Sequence, residues 1–260
     1  MIKWRSKKKI SLALSSGAAK GLAHLGVIKN ILAEGIKIKA IAGSSIGALI
    51  GAYFALNYDI NPLIEIALET NWQKFLGYLD FNIITISEGG IIRGRNVERF
   101  LKELFGEKEF CDCKIPLIII ATDLKTGQAV QITEGKIWKA VRASIAIPGI
   151  FTPIRLGKKL LIDGGVSMPV PVKALTMRKL QPVWAINVLS HPTRLQLQDK
   201  TSPNLITTLT QSLFIMESAI ANTQSEDGEK VISLDTSHVL FYDFPKAREI
   251  IKIGEEVSIS

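Results

Sequence analysis

Short apolar runs alternate along this chain with longer segments whose apolar residues recur at helical spacing. Ile10–Leu14, Ile36–Ala42, Leu117–Ala121 and Pro182–Leu189 predict strands, and the isoleucine-rich third and the fourth predict strands buried on both faces. Gln128–Thr133, Leu160–Asp163, Val231–Leu234 and Val239–Tyr242 read as shorter extended pieces. Helical spacing covers His24–Glu34, which stops at Gly35, then Ile46–Asn57, and a helix opened by Asn61-Pro62. Further helices are predicted over Arg95–Leu104, Lys136–Ile147 before Pro148-Gly149, Leu205–Ala221 and Lys246–Glu256. Strands that alternate with helices predict an α/β fold of three layers, α/β/α, around a mainly parallel central sheet. In such sheets ligands bind beyond the carboxyl ends of the strands. Only Thr70–Gly94 breaks the rhythm; its Trp72, Phe75, Tyr78, Leu79 and Phe81 suit either satellite core or a lid over an apolar pocket.

Composition narrows the class. With 260 residues, 47% apolar and 22% charged, the chain can bury a sizeable core, and no linker or internal repeat divides it. We expect one domain over residues 10–260 behind a basic extension at 1–9. The apolar part after Lys9 is too short for a signal peptide, and Lys37 and Lys39 interrupt the apolar stretch Ile36–Leu56, so a soluble, cytoplasmic protein is expected. Cys111 and Cys113, one residue apart, fit reduced thiols better than a disulfide or a zinc site. The net charge of +8 includes a cluster of Lys3, Arg5, Lys7, Lys8 and Lys9. That cluster is either a solvated terminus or a peripheral contact for anionic membranes. No nucleic-acid module accompanies it, so nucleic acid is not an expected partner.

The candidate chemistry centres on Gly43-Ser44-Ser45-Ile46-Gly47, at a predicted strand-to-helix junction, the setting of a nucleophile elbow. A tight turn lifts the Ser45 hydroxyl from the backbone, and the following helix aims free N–H groups at the same place. Small residues at such a junction also serve packing alone. A nucleophilic serine needs two companions, a base for its proton and fixed donors for the oxyanion. Ser15–Gly21, between a strand and a helix, could form a nest of such donors; it is neither a Walker A loop nor a Gly-x-Gly-x-x-Gly fingerprint. The base could be Asp163, although Asp-Gly also makes hairpin turns, or one of His24, His191 and His238. The order Ser45, Asp163, then His191 or His238 would suit a Ser–His–Asp triad.

Leu14–Val27 resembles the Gly-rich loop and first helix of the bacterial patatin-like phospholipases, Gly43–Gly47 their nucleophile elbow, and Asp163-Gly164-Gly165 their Asp-Gly-Gly/Ala motif. Ala121–Gly127 and Ala143–Phe151 are similar to further segments of that family in the same order, so the resemblance runs from Ile10 to about Tyr242-Asp243-Phe244. It implies a Ser45–Asp163 dyad without histidine, with Ser45 as nucleophile and Asp163 as base. It also implies an oxyanion hole from the N–H groups of Gly17 and Ala18, and an acyl-enzyme that water releases. The implied substrates are carboxylic esters of lipids, phospholipid or lysophospholipid above all, with no metal or other cofactor. An aspartate of ordinary pKa, about 3.9, is a weak base unless the site is dry; Ile150, Phe151, Ile162 and Val166 would help to dry it. Ser16 and Ala18 stand where the family has glycine, and Lys20 where arginine is usual. A left-handed Ala18 would cost about 1–2 kcal/mol. Two other readings stay open: a Ser–His–Asp esterase, and a lipid-binding or regulatory protein that kept the fold without catalysis.

Overall fold

The computed structural model describes residues 8–70, 90–92, 95–193 and 205–259. In chain order the strands are β1 (Lys9–Leu14), β2 (Lys37–Ser44), β3 (Gly90–Ile92), β4 (Leu117–Asp123), β5 (Ala129–Ile132), β6 (Gly149–Phe151), β7 (Ile154–Leu156), β8 (Lys159–Asp163), β9 (Val183–Asn187) and β10 (Lys230–Ser233). The α-helices are α1 (Ala23–Ala33), α2 (Ile46–Asn57), α3 (Asn61–Glu69), α4 (Arg95–Phe105), α5 (Ile137–Ser144), α6 (Val172–Thr176), α7 (Leu205–Ser225) and α8 (Ala247–Glu255).

Among the described residues, eight strands form one sheet in the order β10-β9-β1-β2-β4-β8-β7, with β5 also paired to β4. From β10 to β4 all pairings are parallel. β4 and β9 are buried along their whole length, as strands covered on both faces must be. Helices α1, α2, α5 and α8 pack together on one layer, and α6 with α7 on another. The three-layer α/β expectation therefore holds.

The far end of the sheet differs from the mainly parallel pattern, because β5, β8 and β7 are antiparallel to their neighbours. That difference builds the site. β2 pairs with β4 at Leu117 to Ile120, β8 pairs with it at Ala121 to Asp123, and β5 pairs with residues of both stretches. A strand has only two edges, so β5 occupies one and β2 and β8 share the other. They meet end to end, with Ser44 opposite Ile120 and Asp163 opposite Ala121. The last residues of two strands running in opposite directions are thereby brought face to face.

Gly35 ends α1 with a positive φ of 71°, as its position predicts. Val239–Tyr242 is a turn, not an extended piece. The Asp243 carboxylate accepts from Leu240 N at 2.9 Å, and that local bond competes with any strand ladder. Both cysteines are free thiols. The segment Thr70–Gly94, read as satellite core or a lid, and the start of the basic cluster lie largely outside the described residues. Among the described residues, no helix is long and apolar enough to cross a membrane.

Candidate active site

Ser45 occupies the single residue between β2 and α2, at φ 53° and ψ −123°. A non-glycine residue there is strained by about 1–3 kcal/mol and persists only where its surroundings hold it. Two sets of contacts do so. Ser45 N donates to Ser144 Oγ at 2.9 Å, and Ser144 Oγ in turn donates to the Ile120 carbonyl at 2.5 Å. The Ser45 carbonyl accepts from Ala48 N at 2.9 Å and Leu49 N at 3.2 Å, which starts α2. The flanking glycines let backbones touch. A Cβ on Gly43 would stand 2.3 Å from Gly47 O, and one on Gly47 would stand 2.5 Å from Leu14 O.

Asp163 closes β8 and caps the short 3-10 turn Gly164–Val166. Its Oδ1 accepts from Gly165 N at 2.7 Å, and its Oδ2 accepts from Ser45 Oγ at 2.6 Å. Its backbone is held from two sides, by Asp163 N donating to Ala146 O at 3.0 Å and by Thr122 Oγ1 donating to Asp163 O at 2.7 Å. Ser45 is 4% exposed and Asp163 2%. Burial pushes the Asp163 carboxyl up to about 7, against the opposing pull of the bonds from Ser45 and Gly165. A carboxylate with such a value is a far better proton acceptor than one near its ordinary pKa.

The loop after β1 faces this pair. Ala18 has φ 48° and Gly17 φ 147°, so the left-handed conformation that alanine resists is present. Ser16 N donates to Pro169 O and Ala19 N to Phe241 O, whereas the N–H groups of Gly17 and Ala18 have no acceptor among the described residues. Two adjacent free donors in such a bend can receive an anion. The loop is held from behind by His24, whose Nε2–H donates to Ser15 O at 2.9 Å. Since a carbonyl only accepts, this bond places the ring proton on Nε2, and burial lowers the His24 pKa to about 4, so the ring is neutral. Lys20 Nζ donates to His191 O at 3.3 Å. Burial pulls the Lys20 ammonium down to about 8, partly offset by Asp235.

Of the candidate bases, the fold brings Asp163 to Ser45. His24 is engaged with Ser15, and His191 with Ser190 Oγ at 3.1 Å; His238 sits 3.5 Å from Glu249 on the surface. Two nearby residues escaped the sequence reading. Ser144 carries no motif beyond its place in Ala143–Phe151. Glu217 is 3% exposed on α7 and receives a hydrogen bond from Ser16 Oγ at 3.0 Å. The helical stripe of Thr210, Phe214, Glu217, Ser218, Ala221 and Ser225, all buried, is the signal that would have found it.

A family model described as patatin-like phospholipase matches residues 12–176. An uncharacterized NTE family protein of Mycobacterium tuberculosis is 35% identical over 171 residues, which is 66% of this chain and 46% of that protein. The neuropathy target esterase sws of Drosophila persimilis is 31% identical over 173 residues, 66% of this chain and 12% of its own. The chain thus spans less than half the length of these relatives. The crystal structure of VipD from Legionella pneumophila aligns with 96% of this chain and 65% of its own, at 16% identity and a TM-score of 0.49.

Proposed function

The chain belongs to the patatin-like phospholipase family, and from that premise we propose that it is a serine hydrolase of lipid carboxylic esters, phospholipids or lysophospholipids, working through Ser45 and Asp163. The observation that carries this reading is the 2.6 Å hydrogen bond from Ser45 Oγ to a buried Asp163 carboxylate. In the proposed sequence, the Ser45 proton passes to Asp163 Oδ2 as Oγ bonds to the ester carbonyl carbon. Negative charge moves to the carbonyl oxygen, where the free N–H groups of Gly17 and Ala18 are the candidate donors. Collapse breaks the bond to the alcohol, which leaves with the proton held by Asp163. Water, deprotonated by the same carboxylate, then releases the fatty acid and restores Ser45.

The test is labelling by a fluorophosphonate beside hydrolysis of a phospholipid ester. Wild type should react with both, and Ser45→Ala with neither; labelling that persists in Ser45→Ala would overturn the reading. The proposal extends to peripheral contact with anionic bilayers through Lys3, Arg5, Lys7, Lys8 and Lys9. Each basic residue near such a surface contributes about 1 kcal/mol. Co-sedimentation with phosphatidylserine vesicles should therefore weaken by several orders of magnitude when all five are neutralised, and unchanged binding would remove this part.

A further inference from the structure

We propose that Glu217 is a positioning residue of the same site, a carboxylic acid that in its neutral form ties the oxyanion loop to the turn bearing the base, and whose ionisation sets the alkaline limit of turnover. The inference rests on the hydrolase reading above.

Three observations lead there. First, α7 presents its exposed side through Leu209 and Met216 but turns Glu217 inward, where an unpaired charge is costly. Second, Glu217 bonds to one piece of the site and packs against another. Its Oε2 accepts from Ser16 Oγ in the loop, while both its oxygens stand 2.8 Å from where a Cβ on Gly165 would lie. Gly165 is the residue whose N–H holds Asp163 Oδ1. Third, among the described residues no cation forms an ion pair with Glu217 or with Asp163. Two buried carboxyl groups with no cation between them cannot both ionise cheaply.

The two carboxyl groups therefore ionise in turn. Burial raises Glu217 to about 8, with the Asp163 charge adding to the effect and the Ser16 bond opposing it. Asp163, whose carboxylate takes hydrogen bonds from both Ser45 Oγ and Gly165 N where Glu217 takes one from Ser16, ionises first. With that one charge in place, Asp163 is the base and Glu217 the neutral partner, accepting from Ser16 on one oxygen and carrying its proton on the other. Once Glu217 ionises, a second negative charge faces the base and the place where an oxyanion must form.

The groups around Glu217 set the controls. Asp163 faces it from the turn, and Ser16 bonds it from the loop that also carries Lys20. β9 carries no titratable residue, and Lys173 of α6 pairs with Asp227 at the surface. His24, behind Ser15, is neutral. Lys20 loses its charge in the same pH range as Glu217 and must be separated from it.

The experiment is kcat/KM against pH for wild type, Glu217→Gln, Glu217→Ala and Lys20→Arg. Glutamine reproduces the neutral acid: its Oε1 accepts from Ser16 and it cannot ionise. Wild type should rise through pH about 7 and fall above about 8, whereas Glu217→Gln should keep the first limb and lose the second. At pH 9 it should exceed wild type by about tenfold relative to their values at pH 7.5. Lys20→Arg, which stays charged, should keep the alkaline fall. Glu217→Ala should lose kcat by about 10- to 100-fold with KM little changed, and glutamine should rescue it. An alkaline fall that persists in Glu217→Gln and vanishes in Lys20→Arg overturns the proposal. Infrared difference spectra give a readout independent of turnover, and of whether a variant folds well. Wild type at pH 7.5 should show a protonated carboxyl band that disappears above pH 9; a band absent at pH 7.5 overturns the proposal. Wild type that neither labels nor turns over sinks the hydrolase reading and the kinetic role together. Active wild type without the band or the Glu217→Gln effect sinks this inference alone.

Discussion

Asp163→Asn is expected to lower kcat/KM for a lipid ester by about 10²–10⁴-fold, the range for losing a positioned general base, and at the same time to stabilise the fold at alkaline pH. The loss follows from geometry. Asparagine keeps an oxygen for Gly165 N but turns an N–H₂ toward Ser45 Oγ, where the aspartate accepts a proton at 2.6 Å. The stabilisation follows from burial. The Asp163 pKa lies at about 7 in the folded state, above its value of 3.8 in an unfolded chain. Between those values the folded state holds the proton and the unfolded state does not, so stability falls as pH rises. The neutral acid's contribution is complete below pH about 4 and is lost through pH about 7. Asparagine never ionises and escapes that loss, by an amount of order a few kcal/mol at pH 8 and close to nothing near pH 4. Removing the Asp163 charge also eases the ionisation of Glu217, which the same titration would register. Urea unfolding at both pH values, beside turnover, is the measurement. Full turnover in the variant, or equal stability differences at pH 4 and pH 8, would refute the role given to Asp163.

Gly47→Ala is expected to cost about 3 kcal/mol or more, at the upper end of what an overpacked core residue produces. The new methyl would lie 2.5 Å from Leu14 O and 2.6 Å from Ser15 O. Both are backbone atoms, so no rotamer change relieves the clash; α2 or the end of β1 must move. Either shift pulls Ser45 away from Asp163 or the loop Ser15–Gly21 away from Ser45. Gly51→Ala is the comparison, because the nearest atoms to its Cβ all belong to side chains, Ile41 Cγ2 at 2.6 Å and Leu14 Cδ1 at 3.4 Å, and none to the backbone of β1. The urea midpoint should fall further for Gly47→Ala, and turnover with it. A smaller loss at Gly47 than at Gly51 would show that the close approach at the elbow is not rigid.

Much of this architecture is legible in the sequence because buried strands and amphipathic helices differ in length and period. Leu117–Ala121 announces a strand covered on both faces, and Gly35 announces the end of α1. Strand direction leaves no such mark. The segment ending in Leu161-Ile162-Asp163 reads the same whether it runs with β4 or against it, and its antiparallel course is what sets Asp163 opposite Ala121. Ser45 and Asp163 are 118 residues apart, so only the resemblance of several ordered segments suggested that they meet. Ser144 escaped because a hydroxyl that bonds a backbone N–H has no spacing of its own. Glu217 escaped because one acid in a helix rich in Ser, Thr and Gln reads as solvated, although its place in the buried stripe says otherwise. Val239–Tyr242 was misread because Val-Leu-Phe-Tyr has strand composition, while the bond from Asp243 decides for a turn.

The sheet order carries one more consequence. The stretch matched by the family model ends at residue 176 and contains both Ser45 and Asp163, yet β9 and β10 follow it. β1 lies between β2 and β9, with Ser11, Leu12, Ala13 and Leu14 facing Val183 to Ile186. A fragment cut at the end of the matched stretch would strip β1 of that neighbour and leave a strand that is apolar but for Lys9 and Ser11 as a bare sheet edge. Such an edge, with unpaired N–H and C=O groups and a charge only at its Lys9 end, templates pairing between chains. The last third of the chain is thus also a seal against aggregation.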